Sequence, residues 1–331
     1  MKKRKRVIIS GLTGQDGSYL AEYLLSKDYE VHGIIRRQSV TENQQSRIDH
    51  LKGKLNVVYS DLLDTSSLER IFKKVRPDEI YNLAAMSHVR VSFDIPQFTA
   101  QTNAIGVLNM LEAYRTVCPK AKFYQASSSE QFGLNVDADK FQRETTPFNP
   151  TSPYGVAKVF AYHMVRHYRR AYNLFAVNGI LFNHLSPRRG SNFVMAKIVK
   201  AACKIKLGMQ NKLELGNMDT YRDFGNSKDY VKGMYKIMHH SKPDDFVIAS
   251  MKTYSIRDAC ELVFKHLNMD YKDYVIQNPK YMRPEELPYL RGDSTKARTI
   301  LKWKPEYTFE SSLHEMIEHW MDVLQGKVSI R

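Results

Sequence analysis

The chain has 331 residues, 43% of them hydrophobic, and carries 50 Lys and Arg against 35 Asp and Glu, a net charge of +15. This length and apolar content suit two lobes sharing a cleft and exclude a largely disordered chain. No run approaches the roughly 18 consecutive apolar residues of a membrane helix. The positive excess gathers at Lys2, Lys3, Arg4, Lys5 and Arg6 and is otherwise scattered, without an aromatic-interleaved basic stripe. It speaks for a small polyanionic ligand rather than a nucleic acid.

The basic start runs into Val7, Ile8 and Ile9. That apolar stretch is far shorter than the roughly 7–15 residues of a signal-peptide core, and it reads as the start of a buried strand. Cys118, Cys203 and Cys260 stand far apart, with no CxxC pair. They read as small buried hydrophobes in a reducing cytoplasm, with no metal site expected.

Residues 7–10 predict a strand. The run Gly11-Leu-Thr13-Gly14-Gln15-Asp16-Gly17 follows it and opens a predicted helix over 18–25. Placed between strand and helix, such glycines permit a tight turn and close backbone approach to a pyrophosphate at the helix N-terminus. A second strand spans 30–35 and is followed at once by Arg36 and Arg37. NAD-binding folds usually carry an acid there for the ribose 2′-hydroxyl, whereas a guanidinium suits a 2′-phosphate, so the expected cofactor is NADP.

Further strands are predicted over 55–60, 79–83 and 122–127, with a helix over 96–117. Asp61 and Leu62 follow the third strand, the Asp61 carboxylate placed for an adenine amino group. Leu83, Ala84 and Ala85 end the fourth with little bulk against the ribose and pyrophosphate. The alternation argues an α/β fold, a doubly wound parallel sheet covered by helices on both faces.

The fifth strand runs into Ser127-Ser128-Ser129-Glu130, at the sheet edge where open α/β sheets bind ligands. A carboxylate beside a hydroxyl there can move a proton that a simple dehydrogenase has no need to move. Tyr154 and Lys158 stand four apart after Pro153, on one face of a predicted helix. The ammonium is expected to lower the phenol's pKa and to hold ribose hydroxyls. Beyond Pro187 the character changes: segments 217–230 and 277–293 read as loop-rich, and helices are predicted over 193–206, 255–267 and 310–324. The expected division is 1–187 as a dinucleotide-binding domain and 188–331 as a smaller, mostly helical substrate-binding lobe, with an interleaved boundary.

In order, GLTGQDGSYLAEYLL, VHGIIRR, PDEIYNLAAMSHVRVSF, FYQASSSEQFG, SPYGVAKVFAY, NGILFNHLSPRRG, LGNMDTYRDFG and DFVIA resemble segments of the GDP-mannose 4,6-dehydratase family, in the extended short-chain dehydrogenase/reductase superfamily. The resemblance implies a Rossmann lobe with tightly bound NADP and a homo-oligomer, dimer or tetramer. It implies Ser128, Glu130, Tyr154 and Lys158 as catalytic residues, and His184, Arg189 and Ser87 at the cofactor. It places Asn183, Val194, Lys197, Gly216, Arg222, Arg283 and Glu286, with Ser87, Ser128 and Glu130, toward a GDP-sugar. The implied reaction oxidises C4, eliminates water across C5 and C6, and reduces C6.

Some positions depart from the family pattern. Ser191, Asn192 and Ala196 replace a glutamate, a threonine and an arginine, Phe98 replaces a tyrosine, and the loop QSVTENQQSR after Arg37 differs from the usual SSFNTxR, a segment that can reach a neighbouring subunit's cofactor. GDP-heptose is therefore carried beside GDP-mannose as substrate. A reductase or epimerase of the same fold, and a non-catalytic NADP-binding regulator, are the rival functions; Glu130 beside Ser128 argues against the first, and intact Tyr154, Lys158 and Glu130 against the second.

Overall fold

The computed structural model describes residues 4–37 and 46–328; Lys2, Lys3 and residues 38–45 of the loop after Arg37 lie outside the described residues. Strands β1 (Arg6–Ser10), β2 (Glu30–Ile35), β3 (Asn56–Tyr59), β4 (Glu79–Asn82), β5 (Lys122–Ser128) and β6 (Ala176–Leu181) alternate with helices α1 (Gln15–Ser26), α2 (Thr65–Val75), α3 (Val89–Asp94), α4 (Pro96–Ala100), α5 (Gly106–Val117) and α6 (Pro153–Ala171). Then come β7 (Asn183–Leu185), α7 (Val194–Lys206), β8 (Leu213–Leu215), β9 (Tyr221–Asn226), α8 (Ser227–Met238), β10 (Phe246–Ile248) and β11 (Thr253–Ser255). The chain closes with α9 (Ile256–His266), β12 (Val275–Gln277), β13 (Tyr289–Leu290), α10 (Thr295–Ile300) and α11 (Phe309–Leu324). Among the described residues no helix is long and apolar enough to cross a membrane.

Seven strands form one parallel sheet in the order β10-β6-β5-β4-β1-β2-β3. Its central strands are buried on both faces, as near-continuous apolar runs such as Val7–Ile9 require. Leu20 and Leu24 of α1 and Val231 and Met234 of α8 pack on one face. Leu68 and Phe72 of α2, Leu111 of α5 and Val165 of α6 cover the other. The strand order reverses around β1, which lies between β2 and β4, and a crevice opens at their carboxyl ends.

In the second half, β11, β9 and β13 form a small sheet, with β7 also paired to β9. Helices α7, α9 and α11 enclose its core through Ile198, Val199, Val263, Phe264, Met316, Ile317 and Trp320. The chain returns to the first layer with α8, against α1, and with β10, at the edge of the large sheet.

One expectation fails in part, for a physical reason. Of the segment 217–230 only 217–220 is irregular; the rest forms β9 and the start of α8, because its polar residues are internal. Asp223 is fully buried in β9 and accepts from the backbone N–H groups of Ser250 and Met251, each at 2.8 Å. Gly225 packs against the Tyr230 ring, where a Cβ would come within 2.3 Å. The helix expected over 96–117 runs unbroken, with a wider π-type stretch, Gln101–Ile105, between α4 and α5. That stretch has Asn103 inside, where its amide donates to Met86 O and accepts from Met86 N, both at 2.8 Å. A π-bulge inside a helix often marks a functional region, and here it fixes the chain that leaves β4.

Candidate active site

A cavity of about 1230 Å³ opens at the carboxyl edge of β1, β4 and β5 and extends under the second lobe. Pockets for one small molecule run to roughly 300–1,000 Å³, so this volume is sized for two ligands side by side.

The phosphate end is built by the turn after β1. Gly11 has φ +71°, and a Cβ there would sit 2.8 Å from Ala84 N, so only glycine lets β1 and the end of β4 close together. At Gly17 a Cβ would come within 2.2 Å of Gly11 O. Helix α1 begins after Gly14 with no side-chain cap, which leaves its first N–H groups and positive dipole end for an anion. The Ser10 hydroxyl accepts from Leu83 N and Ala84 N at 3.2 Å each and fixes the opposite wall. These features fit a dinucleotide pyrophosphate.

Thr13, Gln15, Asp61, Leu62, Ala85 and Ser87 line the same cavity, as does Arg36 at the end of β2. The Arg36 guanidinium lies 5.8 Å over the Phe98 ring, so the replacement of tyrosine by phenylalanine falls beside the expected 2′-phosphate. Arg37 is exposed and does not line the cavity, because successive residues leaving an extended strand point opposite ways. Three arginines that sequence reasoning did not assign, Arg47, Arg90 and Arg188, do line it. Arg47 donates to Thr13 O at 3.1 Å and to Arg188 O at 2.9 Å. Arg188 pairs with Glu22 and lies 4.1 Å over the Tyr19 ring. Arg47 closes the QSVTENQQSR segment that sequence reasoning compared with SSFNTxR without assigning the arginine, and Arg188 stood beside the assigned Arg189 in the SPRRG run.

The chemical end lies where β5 meets α6. Ser152 caps α6 by accepting from Gly155 N at 3.0 Å, with Pro153 in the first turn, and this start directs Tyr154 and Lys158 inward. Both are buried, and the Ser128 hydroxyl lies near enough to the Tyr154 phenol to favour its ionised form. The Lys158 ammonium donates to Ala126 O at 2.7 Å and stands 5.7 Å from the Tyr154 ring centre. Burial pushes the phenol up to about 12; Glu130 and Asp16 add to this, while the Ser128 hydroxyl and Arg189 oppose it. Burial lowers Lys158 to about 8. The lowering expected from Lys158 together with a positive nicotinamide ring is not seen in the protein alone, where the ammonium points at a backbone carbonyl and burial dominates the tyrosine.

Glu130 is buried, and its Oε2 has no hydrogen-bond partner among the described residues. Its Oε1 lies 3.6 Å from Arg283 Nη1. Arg222 and Glu286, assigned to the substrate, do not line the cavity. Arg222 is buried behind it in β9, 3.8 Å from Glu286, because its Nη1 donates to Tyr221 O at 2.9 Å and turns the side chain inward. Burial and Arg283 bring its guanidinium down to about 10, with Glu130 and Glu286 opposing.

At the far end Asn183, Val194, Lys197 and Gly216 line the cavity. Lys197 donates to Glu214 O at 2.6 Å and lies 4.0 Å over the Tyr281 ring. Ser191 and Asn192 are exposed in the cavity wall, whereas Ala196 is fully buried in the lobe core. His184 and Asp16 also border the cavity, and they bond each other at 2.8 Å.

The family model for GDP-mannose 4,6 dehydratase matches residues 8–316. The GDP-mannose 4,6 dehydratase of Cricetulus griseus is 44% identical over 98% of this chain and 93% of its own length. GDP-mannose 4,6 dehydratase 2 of Arabidopsis thaliana is 46% identical over 98% and 88%. Among solved structures, the UDP-glucose 4-epimerase of Thermotoga maritima superposes with a TM-score of 0.85 at 24% identity, covering 96% of this chain and 99% of its own, which shows the common fold.

Proposed function

The chain belongs to the GDP-mannose 4,6-dehydratase family, and from that premise we propose that it converts GDP-mannose to GDP-4-keto-6-deoxymannose with NADP as cofactor. One observation carries the reading: a buried carboxylate, Glu130, with an unpartnered oxygen, borders the same cavity as the Tyr154–Lys158 pair. A reductase needs the pair alone; an elimination needs a further base.

Bound NADP supplies a hydride acceptor that can return what it takes. Tyr154, as the phenolate that the positive nicotinamide ring of a bound cofactor would favour, receives the C4 hydroxyl proton as hydride leaves C4, and Ser128 beside it steadies charge on the C4 oxygen. The new ketone acidifies C5. Glu130 takes the C5 proton, and that proton and the C6 hydroxyl depart as water. Hydride then adds to C6, water supplies the proton at C5 while Tyr154 releases to solvent the proton it took, and the sugar loses one water with no net redox change. Lys158, fixed to Ala126 O, holds the ribose hydroxyls and supplies positive charge beside the phenol.

Arg36 supports NADP over NAD, since a guanidinium binds a 2′-phosphate. The exposed Ser191 and Asn192 in the wall favour, as a second reading, the same cycle on a related GDP-sugar such as a GDP-heptose. The test is incubation of purified protein with GDP-mannose and mass analysis. The expected product is lighter by one water, without accumulation of reduced nicotinamide. Reduced cofactor accumulating beside a sugar that keeps its C6 hydroxyl would refute the proposal.

A further inference from the structure

Asp16 occupies the first turn of α1, at the N-terminus that faces a dinucleotide's phosphates. A carboxylate in that place works against phosphate binding, because both are anions competing for one helix dipole. Its side chain is nevertheless turned to protein. Asp16 Oδ2 lies 2.8 Å from His184 Nε2, and Oδ1 accepts from the Ser227 hydroxyl and, at 3.2 Å, from Gln15 Nε2.

The other nitrogen of the ring fixes the charge. His184 Nδ1 is 2.7 Å from Phe182 O, a group that can only accept, so Nδ1 carries a hydrogen. Burial would raise the Asp16 carboxyl, yet the charge and hydrogen bond of His184, then Ser227 and Arg189, outweigh it and hold it at about 2. The 2.8 Å contact of Asp16 Oδ2 with His184 Nε2 needs one hydrogen between two atoms that otherwise only accept, and with that hydrogen and the one on Nδ1 the pair carries no net charge. The ring is also packed at 4.5 Å on Tyr230.

We infer that Asp16 and His184 form a charge-neutral latch: His184 cancels the carboxylate at the phosphate turn and ties that turn to β7 and α8. They are positioning residues for the dinucleotide. The latch spans the two layers of the fold, since Asp16 starts α1, His184 lies in β7 of the second sheet and Ser227 starts α8. A neighbouring bond from the Ser186 hydroxyl to Gln15 Oε1, at 2.8 Å, draws the Arg188–Arg189 segment to the same turn. The inference rests on the dinucleotide site proposed above.

The test measures NADP affinity by titration calorimetry, with melting temperatures of the unliganded protein, for wild type, His184→Gln, Asp16→Asn and the double variant. Gln keeps size and one donor but removes the charge. His184→Gln should bind NADP on the order of tenfold to a hundredfold more weakly, since an uncancelled carboxylate then faces the phosphates. Asp16→Asn should bind as tightly as wild type or more tightly. The double variant should return to within about threefold of wild type, a coupling expected of contacting residues. A double variant no tighter than His184→Gln, or Asp16→Asn weakened about tenfold or more, would overturn the latch while leaving the proposed reaction standing. Should His184→Gln fail to fold, the Asp16→Asn affinity decides alone. A wild type that binds neither NADP nor NAD would defeat both the latch and the cofactor reading.

Discussion

Replacing Glu130 with glutamine separates the steps of the proposed cycle. The amide keeps the shape of a side chain that is only 5% exposed, and the backbone bond from Glu130 N to Ser128 Oγ at 3.3 Å is untouched. What disappears is a base whose Oε2 has no hydrogen-bond partner among the described residues. Removing a general base typically costs roughly a hundredfold to ten-thousandfold, and that loss should fall on elimination rather than on C4 oxidation. Folding should change little. Arg283 loses an anion 3.6 Å away, but a buried carboxylate no longer has to be desolvated, so stability should stay within about 1 kcal/mol of wild type. The assay is a stopped-flow record of nicotinamide absorbance on mixing with GDP-mannose, beside product mass. Reduced cofactor should build up toward one equivalent per site while dehydrated product is nearly absent. Turnover within about threefold of wild type, well short of the usual loss of a general base, would show that Glu130 is not the C5 base. Lost turnover without any reduced cofactor would place it at an earlier step.

Two further outcomes follow from the same geometry. Burial lowers Lys158 from 10.5 to about 8, so the unfolded chain binds the extra proton between those values and stability should rise with pH across that window. Below it the buried ammonium costs up to about 3 kcal/mol, and Lys158→Met should melt higher than wild type near neutrality, with an advantage that shrinks toward pH 10.5. A pH-independent difference in melting temperature would refute this. Arg36→Ala should weaken NADP by roughly tenfold to a hundredfold, as expected for a lost charged hydrogen bond, and NAD by less than about threefold. Equal losses in calorimetry would remove Arg36 from the 2′-phosphate.

Much of the first layer was legible because short apolar strands and punctuating glycines carry their own signal; the strand at 30–35 coincides with β2. The Tyr154–Lys158 spacing and the serine–glutamate run were likewise readable, since the first lies on one helix and the second crosses only from the end of β5 into the turn that follows it. What escaped depends on distance in the chain. Arg47 reaches Thr13 through a long connection, and β10 joins the sheet from about half the chain beyond β4. The polar residues of β9 imitate a loop until Asp223 is seen holding two backbone amides. Arg222 looked like a diphosphate ligand and is buried behind the cavity. The direction of the Tyr154 shift was unreadable for the same reason: a sequence shows a neighbouring lysine but not how deeply the pair is buried.

The central claim is that hydride leaves C4 of the substrate and returns to C6 of the same molecule. It is tested most directly by turning over GDP-mannose deuterated at C4, in ordinary water with the cofactor-loaded protein, and locating the label by NMR. The proposed cycle predicts deuterium at C6 of a 4-keto-6-deoxy sugar, together with solvent hydrogen at C5. Deuterium found in free reduced cofactor, or back at C4 of an epimerised or unchanged sugar, would contradict it.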